Sequence, residues 1–151
     1  MTGAMAVRSI VTAAALLLAA SCGATADGPP PIAVDRTPCS RCGMLISELL
    51  YAAAYQVPGE AARVFDDLGC LREAARAERV EPRVWVRDVQ SGEWIDGSQA
   101  RFISAPTIRT PMGGGILAYG NAADAERAAV KYRASVVPSL SALLARTGAG
   151  S

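Results

Sequence analysis

Two cysteines and a methionine fall within one short stretch, Cys39-Ser40-Arg41-Cys42-Gly43-Met44. A third cysteine, Cys70, closes the run Phe65-Asp66-Asp67-Leu68-Gly69-Cys70, and a second methionine, Met112, lies in Thr110-Pro111-Met112-Gly113-Gly114-Gly115. Core methionines usually follow a helical or strand period among Leu and Ile. Both of these stand beside glycine instead, where backbone freedom lets a side chain be aimed. Thiolate and thioether donors together suit Cu(I) on grounds of softness. The Cys-x-x-Cys pair fits a disulfide or a redox dithiol as well. A four-sulfur zinc site would need a second cysteine pair, and only Cys70 is at hand.

The remaining composition narrows the chemistry. The chain of 151 residues contains four Cys, four Met and no His, which removes Ser-His-Asp and Cys-His catalysis and every His-bearing metal site. Lys and Arg number 15 against 14 Asp and Glu, with 51% hydrophobic residues, so the chain is neither a basic nucleic-acid binder nor a disordered acidic tail. The glycines at 113–115 make a poor phosphate loop because no Lys-Ser/Thr follows them. Asp66-Asp67 is read first as a helix cap, although a carboxylate there could assist a metal or a partner. Trp85 and Trp94 are expected as core or hairpin aromatics.

These residues need elements to position them. Residues 1–21 carry one charge, Arg8, and an apolar run over residues 10–20 that ends in Ala19-Ala20-Ser21-Cys22. That is a secretory signal pattern, and the run is too short for a membrane span, which needs about 20 apolar residues. Leu18-Ala19-Ala20-Ser21-Cys22 resembles a bacterial lipobox, with Ala19 where Leu is preferred, so Cys22 is the expected lipidation site and first mature residue. Residues 22–35, with prolines at 29–31, read as an extended tether. The globular domain is expected over 36–146, with 147–151 a frayed tail. Within it, strands are expected at 51–57 and 62–65, a helix from Asp66 or Asp67 to 78, and strands at 84–86 and 94–95. A second set follows, with strands at 101–104 and 116–119, a helix capped by Asn121 over 122–134, and a strand at 136–137. Each half reads as ββαβ, which makes the fold class α+β with two small units in pseudo-repeat. Residues 138–146 are expected to add a terminal helix.

The pieces Cys39-x-x-Cys42-Gly43-Met44, Phe65-Asp66-Asp67-Leu68-Gly69-Cys70, Trp94-Ile95-Asp96 with Ala100, and Thr110-Pro111-Met112-Gly113 occur in this order behind the lipobox. Together they resemble the NosL family of nitrous oxide reductase accessory proteins, over roughly residues 36–130. The resemblance implies a lipid-anchored copper chaperone that delivers Cu(I) for the copper–sulfide centre of nitrous oxide reductase. It also implies two ββαβ units related to the organomercurial lyase fold. Cys42 and Met44 match the family's Cys-Gly-Met, and Met112 its later Met-Gly. Cys39 and Cys70 belong to a subset of relatives. The expectation is therefore an extracytoplasmic, membrane-anchored copper-binding protein with no catalytic role. Cys42 would be its main thiolate, Met44 and Met112 its thioether ligands, and Cys39 or Cys70 additional or alternative donors. Its partners would be the copper ion and a recipient copper enzyme or that enzyme's assembly machinery, with no nucleic acid. The alternatives are a thiol–disulfide protein using Cys39 and Cys42, and a structural lipoprotein module stapled by that pair.

Overall fold

The computed structural model describes residues 28–145; the expected signal, Cys22, the start of the tether and the tail lie outside the described residues. After a short 3-10 turn (Leu49–Tyr51), β1 (Ala53–Gln56) and β2 (Arg63–Phe65) form a hairpin. Its bend is a tight turn in which the Glu60 N–H donates to the Val57 carbonyl at 3.0 Å, with Gly59 at φ +84°. Asp67 then caps α1 (Leu68–Ala75) by accepting from the Cys70 N–H. The chain returns as β3 (Arg83–Arg87) along the other side of β1, and β4 (Trp94–Asp96) folds back on β3. This sheet is antiparallel, in the order β2-β1-β3-β4, with Ala53 opposite both Phe65 and Val86.

The second half repeats the path with β5 (Arg101–Ser104), β6 (Ile116–Tyr119), α2 (Ala122–Tyr132) and β7 (Ser135–Val137). Asn121 caps α2, its side chain accepting from the Asp124 N–H, and the sheet order is β6-β5-β7. Both sheets put the first strand of their unit in the centre, its hairpin partner on one side and the post-helix strand on the other. The α+β class and the ββαβ repeat are thus observed, with β4 added to the edge of the first sheet. A terminal helix, α3 (Leu140–Ala145), starts after Ser139, whose hydroxyl accepts from the Ala142 N–H at 3.1 Å.

Some boundaries move inward from the sequence expectation. The first strand begins at Ala53 because residues 49–51 coil into the 3-10 turn. Helix α2 stops at Tyr132 because Arg133 adopts the left-handed conformation, φ +50°, that ends a helix. Residues 33–37, on either side of the expected end of the tether, form a turn in which the Thr37 N–H donates to the Ala33 carbonyl at 2.9 Å.

Strand alternation explains the layering. One face of each sheet turns into a shared core of Tyr55, Phe65, Val84, Val86, Phe102 and Ile116, with α1 and α3 contributing Leu71 and Leu143. Helix α2 covers the opposite face of the second sheet through Ala125, Ala128 and Ala129 against Ile103, Leu117 and Tyr119. Ile46, Ala52 and part of Ile32 cover the opposite face of the first sheet over Ala54, Val64 and Trp85. Trp94 flanks that cluster, with the Arg87 guanidinium 4.2 Å above its ring. Both tryptophans are therefore packing residues, as the sequence suggests. Among the described residues no helix is long and apolar enough to cross a membrane.

Two tyrosines tie stability to alkaline pH. The buried Tyr55 hydroxyl donates to Glu78 at 2.6 Å; burial first, and then the Glu78 carboxylate, push its phenol up to about 12. Burial, reinforced by Tyr132, Asp88 and Asp124, does the same to Tyr119. In the unfolded chain these phenols ionise near pH 10. Their contribution is complete below about pH 10 and is lost as pH rises through about 12. Thermal unfolding followed from pH 8 to 12 should show the melting temperature falling above about pH 10. The fall should be shallower in Tyr55→Phe, and an equal fall in both proteins would remove Tyr55 from this role.

Candidate metal centre

The Cys39-to-Met44 segment is the tip of a narrow antiparallel loop. The Ile46 N–H donates to the Thr37 carbonyl at 2.9 Å and the Cys39 N–H to the Met44 carbonyl at 2.8 Å, with Pro38 and Leu45 bridged between them. At the tip the Gly43 N–H donates back to the Cys39 carbonyl at 2.9 Å, and Gly43 takes φ +76°, which explains glycine at that place. The loop lies on the open edge of β2: the Ser40 N–H donates to the Val64 carbonyl at 2.8 Å, and the Ser40 hydroxyl accepts from the Val64 N–H at 3.1 Å. This seam delivers Cys39 to the end of β2, where Asp66-Asp67 lead into the first turn of α1 and its Cys70.

The three sulfurs meet there. The Sγ atoms of Cys39, Cys42 and Cys70 all lie within 4.8 Å of one another, and all three cysteines are free thiols. Cys39 and Cys70 are buried, while Cys42 is partly exposed and forms the outward side of the cluster. Burial alone, the largest influence on the Cys39 thiol, would push it up. The backbone N–H groups of Cys42, Asp66 and Arg41, with the Cys42 thiol, outweigh it and hold Cys39 below the ordinary thiol value. Burial pushes the Cys70 thiol strongly up, and the charges of Cys39 and Asp67 add to it. The two buried thiols are thus pushed in opposite directions, Cys39 toward and Cys70 away from the thiolate.

Asp67 does more than cap. One carboxylate oxygen accepts from the Cys70 N–H at 3.0 Å; the other accepts from the Thr110 hydroxyl at 2.7 Å, the Gly114 N–H at 3.0 Å and the Met112 N–H at 3.2 Å. The 110–115 loop is thereby fixed to the start of α1. Backbone contact reinforces this, since a Cβ on Gly69 would stand 2.8 Å from the Gly114 Cα, and one on Gly114 would stand 2.9 Å from the Gly69 Cα. Met112 and Cys70 line one shallow depression with Arg41, Asp67, Arg72 and Glu73. Met112 stands on the Cys70 side of that depression and is 36% exposed, and Met44, on the tip of the cysteine loop, is 58% exposed. Asp66 points elsewhere: its buried carboxyl faces the Ser47 N–H at 3.4 Å, and burial, more than the nearby Asp67 charge, pushes it up.

The fold thus unites Cys39, Cys42 and Cys70 and seats Met112 beside Cys70. Cys22 lies outside the described residues. Sequence reasoning missed the second role of Asp67 and the part of Arg41 and Arg72 in the depression. The available signal was Gly69 and Gly114, two glycines without positive φ, whose smallness permits two backbones to touch.

Comparison of the sequence with protein-family models and with curated proteins finds no match. Comparison of the fold finds the crystal structure of the copper chaperone NosL from Shewanella denitrificans, with a TM-score of 0.61 and 22% sequence identity. The match covers 72% of this chain and 92% of that one. At this identity the likeness is one of fold.

Proposed function

We propose that this protein is a copper-binding chaperone that holds Cu(I) on the sulfur cluster and passes it to a recipient protein. The observation that carries this reading is the set of three free thiols within 4.8 Å of one another, in a chain without histidine. Soft donors, with no histidine in the chain and no fourth cysteine among the described residues, favour a low-coordinate soft cation over zinc. A fold shared with a solved copper chaperone supports the same reading.

The residues divide the work by depth. Cys39, whose sulfur already receives backbone N–H groups, provides the first anionic donor, and the accessible Cys42 provides the second. Cys70 closes the site on loss of its proton, so loading releases protons to water. Met44 and Met112, half in solvent, supply neutral thioethers at the rim, where a recipient's ligands can compete for the ion one bond at a time. Tight binding and ready exchange are thus assigned to different sulfurs. The recipient is a copper enzyme or its assembly machinery, nitrous oxide reductase being the one that the motif resemblance implies. The lipobox-like run ending at Cys22 supports a position outside the cytoplasm on a lipid anchor.

Two experiments test this reading. In anaerobic competition with a Cu(I) chelator, the reduced protein should take up copper and its oxidised form should not. Met112→Leu should weaken binding and Cys42→Ser should weaken it more. If Met112 were merely packed, the leucine would cost less than about 1.5 kcal/mol of stability and leave affinity unchanged. Turnover of disulfide substrates without copper uptake would favour the thiol–disulfide alternative. For the anchor, intact mass of membrane-extracted protein should show acyl chains on Cys22, and Cys22→Ser should block processing or release the protein. An unmodified Cys22 in the membrane fraction would refute the anchor.

A further inference from the structure

We infer that Asp67 is the positioning residue of the copper site, acting by holding the Met112 thioether against the thiol cluster; this rests on the copper-binding reading above. Asp67 is 1% exposed, and its carboxylate accepts from four donors. One donor is the backbone of Cys70, a member of the cluster. The other three belong to a loop 43 to 47 positions later in the chain, and one of them is the N–H of Met112 itself. The loop joins β5 to β6 in the second ββαβ unit, whereas α1 belongs to the first. A single side chain therefore sets the spacing between a thiol of one half and a thioether of the other.

A helix cap alone does not need this arrangement. Asn, Ser or Thr would satisfy the Cys70 N–H, as Asn121 does for α2. Only a carboxylate offers a second, wholly accepting oxygen to a hydroxyl and two backbone N–H groups. Those groups converge on it in a loop whose glycines at 113 and 115 take φ +70° and +63°. The direct contact between Gly69 and Gly114 leaves no room for a longer bridge. Met112 is 36% exposed and belongs to none of the hydrophobic clusters of the described residues, while its N–H is held by the Asp67 carboxylate.

The test is a double-mutant cycle on the full chain in reduced form, read as Cu(I) affinity by chelator competition. Asp67→Asn keeps the size and the cap acceptor, and turns an NH2 group toward the three loop donors. It should lower Cu(I) affinity by about 10- to 100-fold, the scale seen when a group that orients a metal ligand is removed. Met112→Leu should lower affinity to a similar degree, and the double variant should be no weaker than the more damaged single variant. The ε-methyl NMR signal of Met112, which should shift on copper loading in the wild type, should stay near its apo position in Asp67→Asn. The Met44 signal should still shift. Should Asp67→Asn fail to fold, Thr110→Val removes one loop donor without touching the cap, and the same cycle with Met112→Leu applies. Wild-type affinity in a folded Asp67→Asn, or losses that simply add in the double variant, would overturn the positioning role while leaving copper binding intact. A wild type that takes up no Cu(I) would instead overturn the copper reading itself.

Discussion

The carboxylate of Asp67 is the constraint on which the site depends, because it is buried and its two oxygens answer to different halves of the molecule. One oxygen fixes where α1 begins and so where Cys70 stands; the other gathers the 110–115 loop. Each buried donor left without an acceptor costs about 1–3 kcal/mol, so the three loop donors enforce a single geometry. The direct backbone contact of Gly69 and Gly114 completes the joint. The cysteine loop is fixed independently, by pairing with the free edge of β2 through Ser40 and Val64. Three segments distant in sequence thus meet at the beginning of one short helix.

That meeting point separates holding from exchange. Cys39 lies deep and receives backbone N–H groups that favour its thiolate. Cys70 lies about as deep but is disfavoured as an anion by burial. Cys42, Met112 and Met44 stand progressively closer to water. On the proposed function, a soft ion would enter or leave through the exposed sulfurs without unfolding the buried ones. The Arg41 and Arg72 guanidinium groups line the depression beside Cys70 and would offer positive charge to an anionic copper–thiolate unit.

Much of this was legible in the residues. Strand periodicity and the caps Asp67 and Asn121 locate both ββαβ units, and the strands at 101–104 and 116–119 match residue for residue. Cap chemistry is local, and so can be read locally. The expected first strand, 51–57, begins two residues before the observed one and ends one residue after it; its early start follows because nothing in Leu49-Leu50-Tyr51 distinguishes a 3-10 turn from a strand. Donor type singles out the cysteines and methionines, Cys70 included, and of these the structure brings the three thiols together. What the sequence could not give is the long-range work of Asp67: one aspartate before a helix looks the same whether its second oxygen meets water or a loop 45 residues away. The buried position of Cys39 was hidden for the same reason, since it depends on the seam with β2.

The most direct test of the account is X-ray absorption at the copper edge of the protein loaded anaerobically with one equivalent of Cu(I). The account predicts a Cu(I) edge with a first shell of sulfur alone, and loss of sulfur scattering in Cys42→Ser and in Cys70→Ser. A shell containing nitrogen or oxygen in the wild type, or spectra unchanged by both substitutions, would contradict the claim that this thiol cluster holds the metal.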